Sequence, residues 1–105
     1  MGELGISVEQ SDGATRLAIA GELDLATAPA LHEAVAGLLA GPEPLNLVID
    51  LADVSFLDSS GLGALLQVRA EVLAAGGRLT LAGVAPGPRR VIAIAGLAGT
   101  FGIEG

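Results

Sequence analysis

The run Leu45-Asn46-Leu47-Val48-Ile49-Asp50-Leu51 carries apolar side chains on both faces, so the strand it forms must be central rather than at an edge. Segments with helical period lie on either side of it. From Thr27 the residues Leu31, Val35, Leu38 and Leu39 share one helical face. Thr27 is placed to cap that helix, Pro29 suits its first turn, and Gly41-Pro42 ends it. After Phe56-Leu57 a second helical period sets Leu62, Leu65, Leu66, Val72 and Leu73 on one face, closing at Gly76-Gly77. A central strand between two helices calls for crossover connections and parallel pairing.

The remaining segments complete an α/β domain. Leu4, Ile6 and Val8 alternate with Gly5, Ser7 and Glu9, the two-residue period of a half-buried strand. Asp12-Gly13 is a hairpin turn signal, and Leu17 and Ile19 resume the alternation after it. Gly21-Glu22-Leu23-Asp24 is expected to be a loop carrying two acids. Arg78 to Ala82 reads as a strand, Pro86 to Ile94 as a short helix, and Thr100 to Ile103 as a last short strand. The expected order is ββαβαβαβ, a mixed sheet with helices mainly on one face, in one domain spanning residues 1–105.

Composition removes several classes of function. Twelve acidic residues against five basic ones give a net charge of −7, which opposes direct nucleic-acid binding. Phe56 and Phe101 are the only aromatic residues, so platforms for stacked bases are nearly absent. All five bases are Arg, and without Lys neither a Schiff base nor a phosphate-loop lysine is available. There is no Cys, hence no disulfide or thiolate chemistry. Met1-Gly2-Glu3-Leu4 lacks the flank and apolar run of a signal peptide, and no apolar stretch approaches a membrane span. A cytoplasmic location is expected.

The segment Asp58-Ser59-Ser60-Gly61 stands where a buried strand gives way to a helix, and ligands and partners usually meet an α/β sheet at such carboxyl ends. One reading is structural, with Asp or Ser capping the helix. A hydrolase nucleophile is disfavoured, because the elbow pattern is absent and the single histidine, His32, falls on the face opposite Leu31, Val35 and Leu38. Gly61-Leu62-Gly63 lacks the third Gly of a dinucleotide loop and the Gly-Lys-Ser/Thr of a nucleotide-triphosphatase loop. Glu22, Asp24, Asp50, Asp53 and Asp58 could be imagined around a metal as in a phospho-aspartate receiver, but the basic partner is missing, and no metal or other cofactor is expected. Asp53 is read as lying in a short loop. A phosphate on Ser59 would add about −2 charge at a helix N-terminus, where free N–H groups tolerate it. Structural cap and regulatory switch stand as alternatives from the residues alone.

Gly21-Glu22-Leu23-Asp24, Ala28-Pro29-Ala30-Leu31 and, above all, Val54-Ser55-Phe56-Leu57-Asp58-Ser59-Ser60-Gly61-Leu62-Gly63 resemble the STAS domain of bacterial anti-sigma-factor antagonists. Gly76-Gly77 before Leu79, and Arg90-Val91-Ile92 before Gly96-Leu97, extend the resemblance over nearly the whole chain. It implies that Ser59 is phosphorylated, with Asp24, Asp58, Ser60 and Gly61 around it. The partner it implies is an anti-sigma factor that is itself an ATP-using serine kinase, and a metal-dependent serine phosphatase resets the switch. The chain would then be no enzyme. Glu22, Asp24, Leu62 and Arg69 are expected on the partner surface. Arg69 also interrupts the apolar stripe of the second helix, where it must snorkel or meet a partner's acid. The family's usual C-terminal helix is expected to be absent beyond Ile103, and Ile92-Ala93 replaces the bulkier pair common there. A non-switching STAS subunit of a transport or scaffold assembly is the rival.

Overall fold

The computed structural model describes residues 3–103, two fewer at each end than the expected 1–105 domain. Strands β1 (Gly5–Ser11) and β2 (Ala14–Leu23) form the expected hairpin. Its two-residue turn has positive φ at both Asp12 (51°) and Gly13 (79°), the type I′ geometry that matches strand twist. Helix α1 (Ala28–Leu39) crosses to strand β3 (Asn46–Leu57), helix α2 (Ser59–Ala74) crosses to β4 (Arg78–Ala82), and α3 (Pro86–Ile94) follows. The sheet order is β1-β2-β3-β4, with the first pair antiparallel and the other two parallel. The order is therefore ββαβαβα, a mixed sheet with three helices.

Strands β2, β3 and β4 each bury one stripe, whereas β1, expected to be half-buried, leaves Ile6 38 % and Val8 47 % exposed. Leu17 pairs with Ile49, Leu47 with Leu79 and Ile49 with Leu81, and all five are at most 5 % exposed beneath the helices. Leu31 and Val35 of α1 and Leu62, Ala64, Leu65, Val68 and Val72 of α2 close the core from that side. Leu73, expected on the same face of α2, is instead 42 % exposed, and Val68 takes the place in the stripe. On the opposite face an Arg16 Nη2 donates to Asp50 Oδ2 at 2.8 Å, and both side chains reach solvent.

Further sequence expectations change. Strand β3 is longer than Leu45–Leu51, and Asp53 lies within it rather than in a loop. Its pairing with β2 slips by one residue twice, between Ala18 and Ala20 and between Gly21 and Glu22. Each bulge resets the alternation, so Leu51, Val54 and Leu57 all face the core at intervals of three. The Asp50 carboxylate holds the first bulge by accepting the Ala52 N–H at 2.9 Å. The last strand, Thr100 to Ile103, does not form. Those residues wind into helical turns, with the Ile103 N–H donating to the Ala98 carbonyl at 2.8 Å and Gly102 at φ 72°. Phe101 drives this arrangement: its ring is wholly buried, while its carbonyl accepts the Leu81 N–H at 3.1 Å on the outer edge of β4. Another change concerns the cap of α1 and belongs to the site.

Candidate functional site

Leu23 and Leu57 are paired on the adjacent parallel strands β2 and β3, and both point into the core. One residue further on each strand stands an acid, Asp24 and Asp58, and each organises the turn that follows it. These turns lie side by side at the carboxyl end of the sheet; of the expected loop Gly21-Glu22-Leu23-Asp24, the first three residues belong to β2 and pair with β3, and only Asp24 lies in the turn.

The first turn is built by Asp24 and Thr27. Asp24 Oδ1 accepts the N–H of Ala26 at 3.0 Å and of Thr27 at 3.1 Å, the pattern of a helix cap. The Ala28 N–H then closes a helical turn on the Asp24 carbonyl at 2.9 Å. Thr27, expected to cap α1, makes no side-chain cap bond. Its buried hydroxyl ties the loop to the strand, donating to the Glu22 carbonyl at 2.8 Å and accepting the Asp24 N–H at 3.0 Å. Asp24 thus caps the turn that leads into α1, while α1 itself starts without a side-chain cap.

Asp58 caps α2 itself. It has extended backbone geometry, φ −113° and ψ −173°, and its Oδ1 accepts the Gly61 N–H at 2.9 Å. Its carbonyl accepts the Leu62 N–H at 2.9 Å, the first bond of the helical ladder. Of the two structural caps considered for this segment, the acid is the one used. Ser59 and Ser60 occupy the first two helical positions with exposed side chains. Their hydroxyls and backbone N–H groups have no hydrogen-bond partner among the described residues. An exposed hydroxyl beside two free amides at the positive end of a 16-residue helix suits an anionic group.

Gly61 sets how closely these parts approach. A β-carbon there would run into the Leu23 carbonyl oxygen and approach Leu57 Cδ1 to 2.8 Å. Gly63 has open space at the same test. Only the first glycine of the motif is demanded by packing, and it presses the first turn of α2 onto the strand end from which Asp24 follows.

The other expected site residues divide by exposure. Glu22 is exposed and pairs across with Phe56, itself 47 % exposed, on the side away from the core. Asp24, Asp58 and Arg69 are half-buried. Leu62, expected on the partner surface, is 7 % exposed and packs in the core, so its work is to seat α2. Its apolar period signalled burial all along. Leu25 was not singled out in the sequence, yet it is 77 % exposed immediately after Asp24. Among the described residues no cluster of three or more acids, His or Cys is arranged to hold a metal, and no helix is long and apolar enough to cross a membrane.

The geometry has clear counterparts. A family model described as "Mlab, STAS domain" matches residues 6–103. The anti-sigma-F factor antagonist RsfB of Mycobacterium tuberculosis is 40 % identical over 98 residues, which cover 91 % of this chain and 77 % of that protein. The crystal structure of an anti-sigma factor antagonist from Mycobacterium paratuberculosis superposes with a TM-score of 0.78 at 35 % identity, covering 96 % of this chain and 85 % of that one. The Bacillus cell fate determinant SpoIIAA in its phosphorylated form matches with a TM-score of 0.69 at 25 % identity, over 92 % of this chain and 87 % of the other. Two acid-capped turns at the end of paired parallel strands, carried by a sequence alike across nearly its whole length, mean that this chain belongs to the STAS-domain family of anti-sigma-factor antagonists.

Proposed function

We propose that the chain binds an anti-sigma factor and so releases a sigma factor, and that phosphorylation of Ser59 ends that binding. The observation that carries this reading is the division of labour at the start of α2. Asp58 already caps the helix, which leaves the exposed Ser59 hydroxyl without a structural task. A relative of known structure has been obtained in a phosphorylated form, in keeping with such a role.

The partner is an anti-sigma factor with ATP-dependent serine kinase activity. Ser59 Oγ attacks the γ-phosphorus of ATP held by that partner. The Oγ–P bond forms, the bond to the bridging oxygen breaks, ADP leaves, and the hydroxyl proton passes to a base of the kinase. The new phosphoserine carries about −2 charge beside Asp58, facing the phosphates of the ADP just formed. Repulsion among these anions separates the complex, while the free amides of α2 keep the domain folded. A serine phosphatase restores the hydroxyl with water and liberates inorganic phosphate. Chemistry thus resides in kinase and phosphatase, and this chain acts in the cytoplasm as a binding protein whose effect on transcription runs through protein contacts. Glu22, Asp24 and Arg69 border the contact surface.

Incubation with the anti-sigma serine kinase and ATP, followed by mass spectrometry, tests the reading. Phosphate on Ser59 is expected. Phosphate on Ser60 would move the assignment by one residue, and an unmodified chain would favour a non-switching subunit.

A further inference from the structure

We infer that Leu25 is the apolar anchor by which the anti-sigma kinase grips the phosphoacceptor end of the sheet, an inference that rests on the function proposed above. Leu25 and Ile94 are the most exposed large aliphatic side chains among the described residues, at 77 % and 80 %, and Leu25 is the one that follows directly on the strand paired with the strand leading to Ser59. The loop that carries it is bracketed by hydrogen bonds. Asp24 Oδ1 accepts the amides of Ala26 and Thr27 on its C-terminal side, and the Thr27 hydroxyl ties the same loop to the Glu22 carbonyl. A side chain on a hydrogen-bonded loop costs less backbone ordering on binding, which favours a strong contact.

Position selects the occupant. Leu25 stands two residues beyond Leu23, and Ser59 stands two residues beyond Leu57, its partner in the adjacent parallel strand. Gly61 presses the first turn of α2 against the Leu23 carbonyl, so the two turns share one surface. Any protein that delivers a phosphoryl group to Ser59 must cover that surface. Its complement to Leu25 is an apolar pocket, with cationic side chains on the border that faces Glu22 and Asp24. The Ser59 side of the same surface meets the nucleotide.

Binding to the ADP-loaded kinase, measured by calorimetry in a Ser59→Ala background, tests this assignment. Adding Leu25→Ala should weaken binding about tenfold or more with no change in the thermal midpoint, and Leu25→Met should recover most of the loss. Leu73→Ala serves as the control. That side chain is 42 % exposed but lies fourteen residues along α2 from Ser59, about 21 Å at the rise of a helix, and its loss should leave affinity within about twofold. Leu25→Ala binding within about twofold of its parent would overturn the anchor while leaving the proposed function standing. A parent protein that does not bind the kinase at all would remove both.

Discussion

The carbonyl oxygen of Leu23 occupies the space where a β-carbon on Gly61 would sit, so helix α2, which begins at Ser59, is seated directly on the end of the neighbouring strand. Backbone touches backbone at this point, and neither side can yield by turning a side chain.

That contact gives two neighbouring glycines opposite fates. Gly61→Ala should destabilise the domain by about 1–3 kcal/mol or more, because the added methyl must displace the Leu23 backbone. Gly63→Ala meets nothing within 4 Å and should stabilise by about 0.5–1 kcal/mol through reduced chain entropy in the helix. Urea unfolding of the two variants checks the difference in sign.

Asp58 and Ser59 should separate stability from switching. Asp58→Ala removes the acceptor of the Gly61 N–H and should cost about 0.5–2 kcal/mol. Ser59→Ala removes a hydroxyl with no hydrogen-bond partner among the described residues, and its stability should stay within about 0.5 kcal/mol of the parent. It should still bind the kinase but take no phosphate. Denaturant melts and kinase assays on both variants read the two effects apart.

Asp50 should make the sheet sensitive to acid. The Ala52 N–H, and after it the Arg16 guanidinium, hold its carboxyl below the usual carboxylate range, against a smaller opposing effect of burial. A depressed pKa means that the folded state binds this proton less readily than the unfolded chain. Its stabilising contribution is therefore complete above the unfolded value of about 3.9 and is lost as pH falls through the folded one. Asp50→Asn should be less stable than the parent at neutral pH, and the gap should close in melts taken progressively below about pH 4.

Leu65 and Leu62 anchor α2 from within. Leu65 is fully buried, and Leu65→Ala should cost about 2–5 kcal/mol by lost contacts and a residual cavity. Leu62→Ala should likewise lower stability, since its side chain packs in the core. Loss of kinase affinity with an unchanged melting midpoint would instead put Leu62 on the partner surface.

Arg69, half-buried within the second helix, is open to the opposite test. Arg69→Glu should weaken kinase binding while leaving the thermal midpoint nearly unchanged. Unaltered binding together with lost stability would make it a structural residue.

Near-neighbour chemistry was legible in the sequence. The Asp12-Gly13 turn, the helical periods of α1 and α2, the break after Leu57 and the apolar run of β3 each depend on residues a few positions apart, whose backbone preferences act before any tertiary contact forms. The same locality made the Asp-Ser-Ser-Gly segment stand out as a helix start. Tertiary structure decided what distant segments impose on one another. The bulges of β3 come from its register against β2, so alternation beyond Leu51 could not be followed along the chain alone. Residues Thr100 to Ile103 carry a strand-like pattern, but burying Phe101 against the sheet is satisfied by a turn. Whether Asp58 or Ser59 caps α2 rested on backbone torsions at one residue. The placing of the Asp24 turn beside the Asp58 turn, and with it the exposure of Leu25, follows from how two parallel strands end beside each other, which pairing across more than thirty residues of sequence determines.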